Sequence, residues 1–136
     1  MGDPAGIGPE IIAKSFAKSE IYSECIPFVI GSSNVMDSAI QLIKSDSKTV
    51  TIRNLEDIHN DPRKIYVLDD NSLDHESITY GEINATAGQA AVKWILQAGE
   101  LAAKNQIQAI VTAPINKESA KLAGYDYRGH QEIFQR

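Results

Sequence analysis

The sequence predicts an α/β fold with a mainly parallel sheet and helices on both faces. Two observations predict it. Short apolar runs of strand type alternate with longer stretches at helical spacing along the whole chain, an order that builds β-α-β units rather than hairpins. Glycine, proline and asparagine mark the boundaries between them, and right-handed crossovers then distribute the helices over the two sides of the sheet.

In chain order, Pro9-Glu10 suits a first helical turn, because proline there forfeits no hydrogen bond and an acid favours the helix dipole. Ile11, Ile12, Ser15 and Phe16 continue the stripe to about residue 18. Residues 27–30 read as a short strand closed by Gly31-Ser32-Ser33, with Ser33 or Asn34 placed to cap a helix over 35–44. Residues 50–52 and 65–68 read as strands, separated by a polar stretch with an Asp61-Pro62 turn. Residues 69–85 read as an exposed loop, with a short hairpin near 78–80. Thr86 is placed to cap the longest helix, 87–105, whose apolar face is Ala91, Trp94, Ile95, Ala98, Leu101 and Ala102. A strand over 107–111 follows, then a helix from Asn116 to Gly124, then a helix start after Gly129 over 130–136.

Composition narrows the function. The chain has 136 residues, 43% hydrophobic and 23% charged, which is ordinary globular usage. Its net charge of −5 lacks the basic footprint of a nucleic-acid binder. No apolar run approaches the roughly 20 residues of a membrane span, and no signal-peptide pattern opens the chain. The single Cys25 excludes an internal disulfide and points to a reducing, cytoplasmic setting.

Three segments could carry chemistry. In Gly2-Asp3-Pro4-Ala5-Gly6-Ile7-Gly8-Pro9-Glu10 the glycines admit close approach of a ligand to backbone and to a helix N-terminus. It is neither a dinucleotide fingerprint nor a P-loop, and a tight strand-to-helix turn without a ligand competes with the functional reading. Thr112-Ala113-Pro114-Ile115-Asn116-Lys117 follows the expected strand 107–111, at the sheet end where ligands of open α/β sheets bind. Lys117 opposes the helix dipole there, so it is a candidate to meet an anion, against the alternative of a solvated lysine. Gly129-His130-Gln131-Glu132 places an imidazole and an amide at a helix mouth, suited to a phosphate or carboxylate; a capping histidine on a surface turn is the alternative. His59 and His75 read as loop histidines, the acids of 69–76 as a solvated loop, and Trp94 as core.

Together with Thr86-Ala87-Gly88-Gln89-Ala90-Ala91, these three segments resemble, in order and approximate spacing, the 4-hydroxythreonine-4-phosphate dehydrogenases of pyridoxal phosphate (pyridoxine) biosynthesis. The resemblance covers residues 1–18 and 86–136 well. It implies a homodimeric two-domain dehydrogenase about twice this length or more, which oxidises 4-phosphooxy-L-threonine with NAD or NADP. The 3-oxo acid formed loses carbon dioxide to give 3-amino-2-oxopropyl phosphate. It further implies a divalent metal, such as zinc, magnesium or cobalt, whose histidine ligands lie beyond Arg136, so that no metal ligand falls in this chain. Residues 1–136 are then expected to be an incomplete N-terminal α/β portion, lacking the family's first strand and C-terminal half, and inactive alone.

The family's substrate-contacting Gly-His-Thr-Glu segment corresponds to Gly129-His130-Gln131-Glu132, which gives His130 and Gln131 a substrate-binding role and Lys117 a catalytic or anion-holding one. Gln131 departs from the family's threonine. It leaves open a related dehydrogenase of another phosphorylated four-carbon hydroxy acid, such as a tetronate. A non-catalytic phosphate-ligand binding module is the alternative of another class. The cofactor site is not assigned to any residue.

Overall fold

The structure, a computed structural model, describes residues 1–127 and 129–134. Its centre is a parallel three-stranded sheet: β1 (Val29–Ile30), β2 (Lys48–Ile52) and β3 (Lys64–Leu68), in the spatial order β1-β3-β2. Val29 pairs with Val67 and Thr51 with the same residue from the other side, so β3 is the central strand. That placement explains its almost wholly buried Ile65, Tyr66 and Val67, the pattern of a parallel strand covered on both faces.

Alternation along β1 sends Val29 to one side and Ile30 to the other. On the first side, α1 (Gly8–Phe16) and α3 (Ser33–Leu42) bring Ala13, Phe16, Met36, Ala39 and Ile40 against Val29, Ile65 and Val67. On the second, α4 (Ala85–Ala103) lays Ala90, Trp94 and Ala98 on Ile30, one residue per turn along one stripe. Helices therefore cover both faces, as the alternating pattern predicts, and Trp94 is core. A neighbouring stripe of α4, Val92 and Ile95, packs on Ala120 of α5 (Lys117–Leu122) and Ile133 of α6 (His130–Phe134). The short α2 (Ile21–Glu24) leads from α1 towards β1. Among the described residues, no helix is long and apolar enough to cross a membrane.

The structure corrects several sequence expectations. The strand expected over 27–30 contracts to Val29–Ile30. Residues 107–111 form no strand among the described residues, because no neighbouring strand offers them a ladder; Ile110 packs beside Trp94 while Val111 is 96% exposed. Asn84, not Thr86, caps α4, its side chain accepting from the Ala87 amide at 3.1 Å. Neither Ser33 nor Asn34 caps α3. The N-cap is Ser32, without a side-chain bond, and the Ser33 amide instead donates to Asp69 Oδ2 at 2.7 Å.

That contact also revises the loop after β3. Asp69 is 5% exposed, not solvated, and its Oδ1 takes the Asn71 amide at 2.8 Å. A buried carboxylate at the end of β3 thus caps α3 across the sheet, the favourable end of the helix dipole for an anion. The 78–80 hairpin is replaced by a 3-10 turn, His75–Ser77, capped by Asp74. Asp70 pairs with Lys93 of α4 at 2.5 Å. Partial desolvation pushes the Asp70 carboxyl up, but the Lys93 ammonium with the Ser72 hydroxyl and amide outweigh it, lowering the pKa from its ordinary 3.8 to about 2.

Two outcomes follow. Asp69→Ala removes the partner of two amides and is expected to destabilise the protein by about 1–3 kcal/mol in urea unfolding. Folded Asp70 holds a proton less readily than unfolded Asp70, so its pairing stabilises above the ordinary value of 3.8 and is lost as pH falls through about 2. The stability difference between the native protein and Lys93→Met is therefore expected to shrink across that interval, and to be smaller at high salt because both side chains are partly solvated.

Candidate functional site

The three segments singled out in the sequence meet at one stretch of backbone, Ala113-Pro114. The Asp3 amide donates to the Pro114 carbonyl at 2.9 Å. Gly2 has φ +79°, a conformation side chains rarely adopt, and a Cβ there would collide with the Pro114 oxygen and lie 2.9 Å from the Ala113 carbonyl carbon. A Cβ on Gly8 would lie 2.6 Å from the Met1 oxygen and 3.3 Å from the Ala113 Cβ. From the other side, the Nε2 ring nitrogen of His130 lies 3.2 Å from the Ala113 carbonyl oxygen.

These contacts decide what the glycines are for. At Gly2 and Gly8 the absent side chain admits another part of the protein, not open space for a ligand. The loop keeps its shape from within: the Ala5 amide donates to Asp3 Oδ1 at 2.8 Å, the Gly6 amide to the Asp3 carbonyl at 3.1 Å. Asp3 is 5% exposed. Burial pushes its carboxyl pKa up, and the Ala5 amide opposes that shift. Asp3-Pro4 is the turn signal that marks this carboxylate in the sequence; its burial is a tertiary property.

The far end of the 112–117 segment is fixed as firmly. Asn116 caps α5, accepting from the Glu118 and Ser119 amides at 2.9 and 3.0 Å, as its type and position predict. The fully buried Ser119 takes the Asn84 amide on its Oγ at 3.2 Å. A Cβ on Gly88 would overlap the Ser119 carbonyl and lie 2.5 Å from the Ala120 nitrogen. Gly88 therefore lets α5 sit on α4 backbone to backbone, which holds 112–117 between the glycine loop and the long helix. A glycine inside a helix is the sequence signal for such an approach.

The expected site residues are placed unevenly. His130 is half-buried at the start of α6 and anchored to Ala113, while Gln131 beside it is exposed. Lys117 opens α5 with an exposed side chain. Among the described residues, no hydrogen bond or ion pair joins Lys117 to His130 or Gln131. The last two residues of the helix expected over 130–136 lie outside the described residues. His59 and His75 are both exposed; His59 lies edge-on to Tyr66 and His75 Nδ1 is 3.2 Å from Asn34 Nδ2. Among the described residues no three His, Cys, Asp or Glu stand together as a metal site, so these residues do not fit a bound metal and no step is assigned to them through one.

Fold and site together define a parallel α/β unit in which the opening glycine loop and the first residue of α6, His130, meet on one stretch of backbone. Comparison with known proteins makes the class particular. The family of the pyridoxal phosphate biosynthetic protein PdxA matches residues 23–136, and the chain belongs to that family. A Fusobacterium nucleatum protein, provisionally named a D-threonate 4-phosphate dehydrogenase, is 38% identical over 98% of this chain and 40% of its own length. An Oceanobacillus iheyensis protein with the same provisional name is 40% identical over the same shares. The solved structure of a 4-hydroxythreonine-4-phosphate dehydrogenase from Burkholderia phymatum superposes with a TM-score of 0.94 at 36% identity, over 98% of this chain and 40% of that one. One from Klebsiella pneumoniae gives 0.89 at 37% identity, over 98% and 41%. The chain thus spans about 40% of the length of the relatives it matches.

The packing makes a contrast between glycines testable. Gly88→Ala is expected to destabilise the protein by at least about 1–3 kcal/mol, as overpacking does. Gly129, which has nothing within 4 Å of a Cβ and no positive φ, is expected to accept alanine within about 0.5 kcal/mol. Urea unfolding of both variants checks the difference.

Proposed function

We propose that residues 1–136 are the N-terminal α/β portion of a longer, two-domain dehydrogenase that oxidises a phosphorylated four-carbon hydroxy acid. The first candidate substrate is 4-phosphooxy-L-threonine. In that reaction the substrate hydroxyl carbon gives a hydride to NAD or NADP and the hydroxyl gives up its proton. The resulting 3-oxo acid then loses carbon dioxide, leaving 3-amino-2-oxopropyl phosphate. A divalent metal would supply Lewis-acid chemistry at the substrate oxygen, with ligands implied by the family resemblance to lie outside residues 1–136. The observation that carries the reading is the anchoring of His130 on Ala113, within the fold of a family whose solved members bear that enzyme name.

In this reading His130 and Gln131 bind and orient the substrate. Imidazole and amide both donate to anionic oxygens, and Lys117, at the start of α5, meets an anionic group or assists proton transfer. Gln131 supports a second substrate, D-threonate 4-phosphate. An amide reaches further than the threonine hydroxyl the resemblance leads one to expect, and the relatives from Fusobacterium and Oceanobacillus carry that substrate in their provisional names. The working enzyme is a cytoplasmic homodimer with a small phosphorylated substrate.

The test is formation of reduced nicotinamide by the purified full-length protein with either substrate, metal supplied. EDTA is expected to stop the reaction. No reduced nicotinamide with any phosphorylated 3-hydroxy acid contradicts the proposal and favours a non-catalytic phosphate-ligand module. His130→Ala is expected to raise KM by roughly tenfold to a hundredfold, the loss of a hydrogen bond to a charged group, with metal content unchanged. Loss of metal instead would assign His130 to the metal.

A further inference from the structure

We infer that the glycine-rich loop is a positioning device for His130, and that it leaves Nδ1 as the ring nitrogen that meets the ligand. A carbonyl oxygen only accepts, so the contact between His130 Nε2 and the Ala113 oxygen, 3.2 Å, places the hydrogen on Nε2. In the neutral ring Nδ1 is then the nitrogen that can accept from a substrate hydroxyl; in the charged ring it can donate to a phosphate oxygen. Among the described residues nothing else bonds this ring.

The Ala113 carbonyl can set that state only because its own position is fixed. Gly2 brings the loop into contact with the residue 113–114 backbone, Gly8 brings the start of α1 against the Met1 carbonyl and the Ala113 side chain, and the Asp3 amide holds the next carbonyl, Pro114, at 2.9 Å. Gly88 fixes the same segment from α4 through α5. The loop therefore acts on the ligand through the histidine. Its glycines and Asp3 are positioning residues, because none needs to touch the substrate. This deepens the functional reading above and rests on it for the identity of the ligand, but the tautomer does not.

The experiment is a long-range ¹H–¹⁵N correlation spectrum of the histidine rings in the ¹⁵N-labelled full-length protein, at a pH where imidazoles are neutral. The His130 signals are assigned by their loss in His130→Gln. The expected result is a protonated Nε2 and an unprotonated Nδ1, with the Nδ1 signal moving on addition of 4-phosphooxy-L-threonine or D-threonate 4-phosphate. A protonated Nδ1 in the native protein overturns the inference, and this measurement needs no variant of the loop. Gly2→Ala, where it folds, is expected to give a mixture of tautomers and to raise KM by about tenfold to about a hundredfold, the scale of an ångström's misplacement. A folded Gly2→Ala with native tautomer and native KM also overturns it. An Nδ1 signal that neither substrate moves while reduced nicotinamide still forms overturns the assignment of Nδ1 to the ligand; the same unmoved signal with no reduced nicotinamide formed contradicts the proposed function and not the tautomer.

Discussion

The site depends on one close approach: the backbone of residues 2–3 against that of residues 113–114. Two stretches more than a hundred positions apart in the sequence come near enough for one to hydrogen-bond the other only where side chains are missing. That constraint explains why Gly2 stands in the opening loop and why Asp3 is buried beside it, while Gly8 lets the loop close on the Met1 carbonyl and the Ala113 side chain. It also explains how a short loop with no strand ladder of its own can present His130 at a defined place. Gly88 repeats the solution on the other side, trading some helix propensity for contact between α4 and α5.

The parallel sheet is the frame for this arrangement. β3, buried on both faces, carries α1 and α3 on one side and α4 on the other. Three polar side chains that fall inside are tied to backbone amides: Asp69 to Ser33 and Asn71, Asp3 to Ala5, Ser119 to Asn84. Burying these groups costs little because each has a partner. The loops they hold are fixed at several points each, which precise positioning of the proposed ligand-binding side chains requires.

Much of this was legible in the sequence. The apolar run at 65–68, the helical stripe through Trp94 and the Asn116 cap each rest on short-range patterns, and each is found where the pattern puts it. Two of the differences involve partners distant in the chain. A strand at 107–111 needed a neighbouring strand. The capping of α3 needed Asp69 from the end of β3. At α4 the difference is local: the helix begins two residues earlier than Thr86 suggests, and it is Asn84 that reaches the Ala87 amide. In the site, the three motifs were visible one by one, but not that the glycines of the first meet the backbone of the second, or that the histidine of the third binds the same backbone. Glycine's usual association with phosphates pointed towards a ligand; the space beside Gly2 and Gly8 is taken by protein.

Amide hydrogen exchange at Asp3 in the full-length protein tests the backbone clamp most directly. The Asp3 amide is bound to the Pro114 carbonyl at 2.9 Å, so the account predicts protection as strong as that of the central strand β3. Exchange at the rate of an exposed turn would show that the loop and the 113–114 segment are not held together, and would contradict the account.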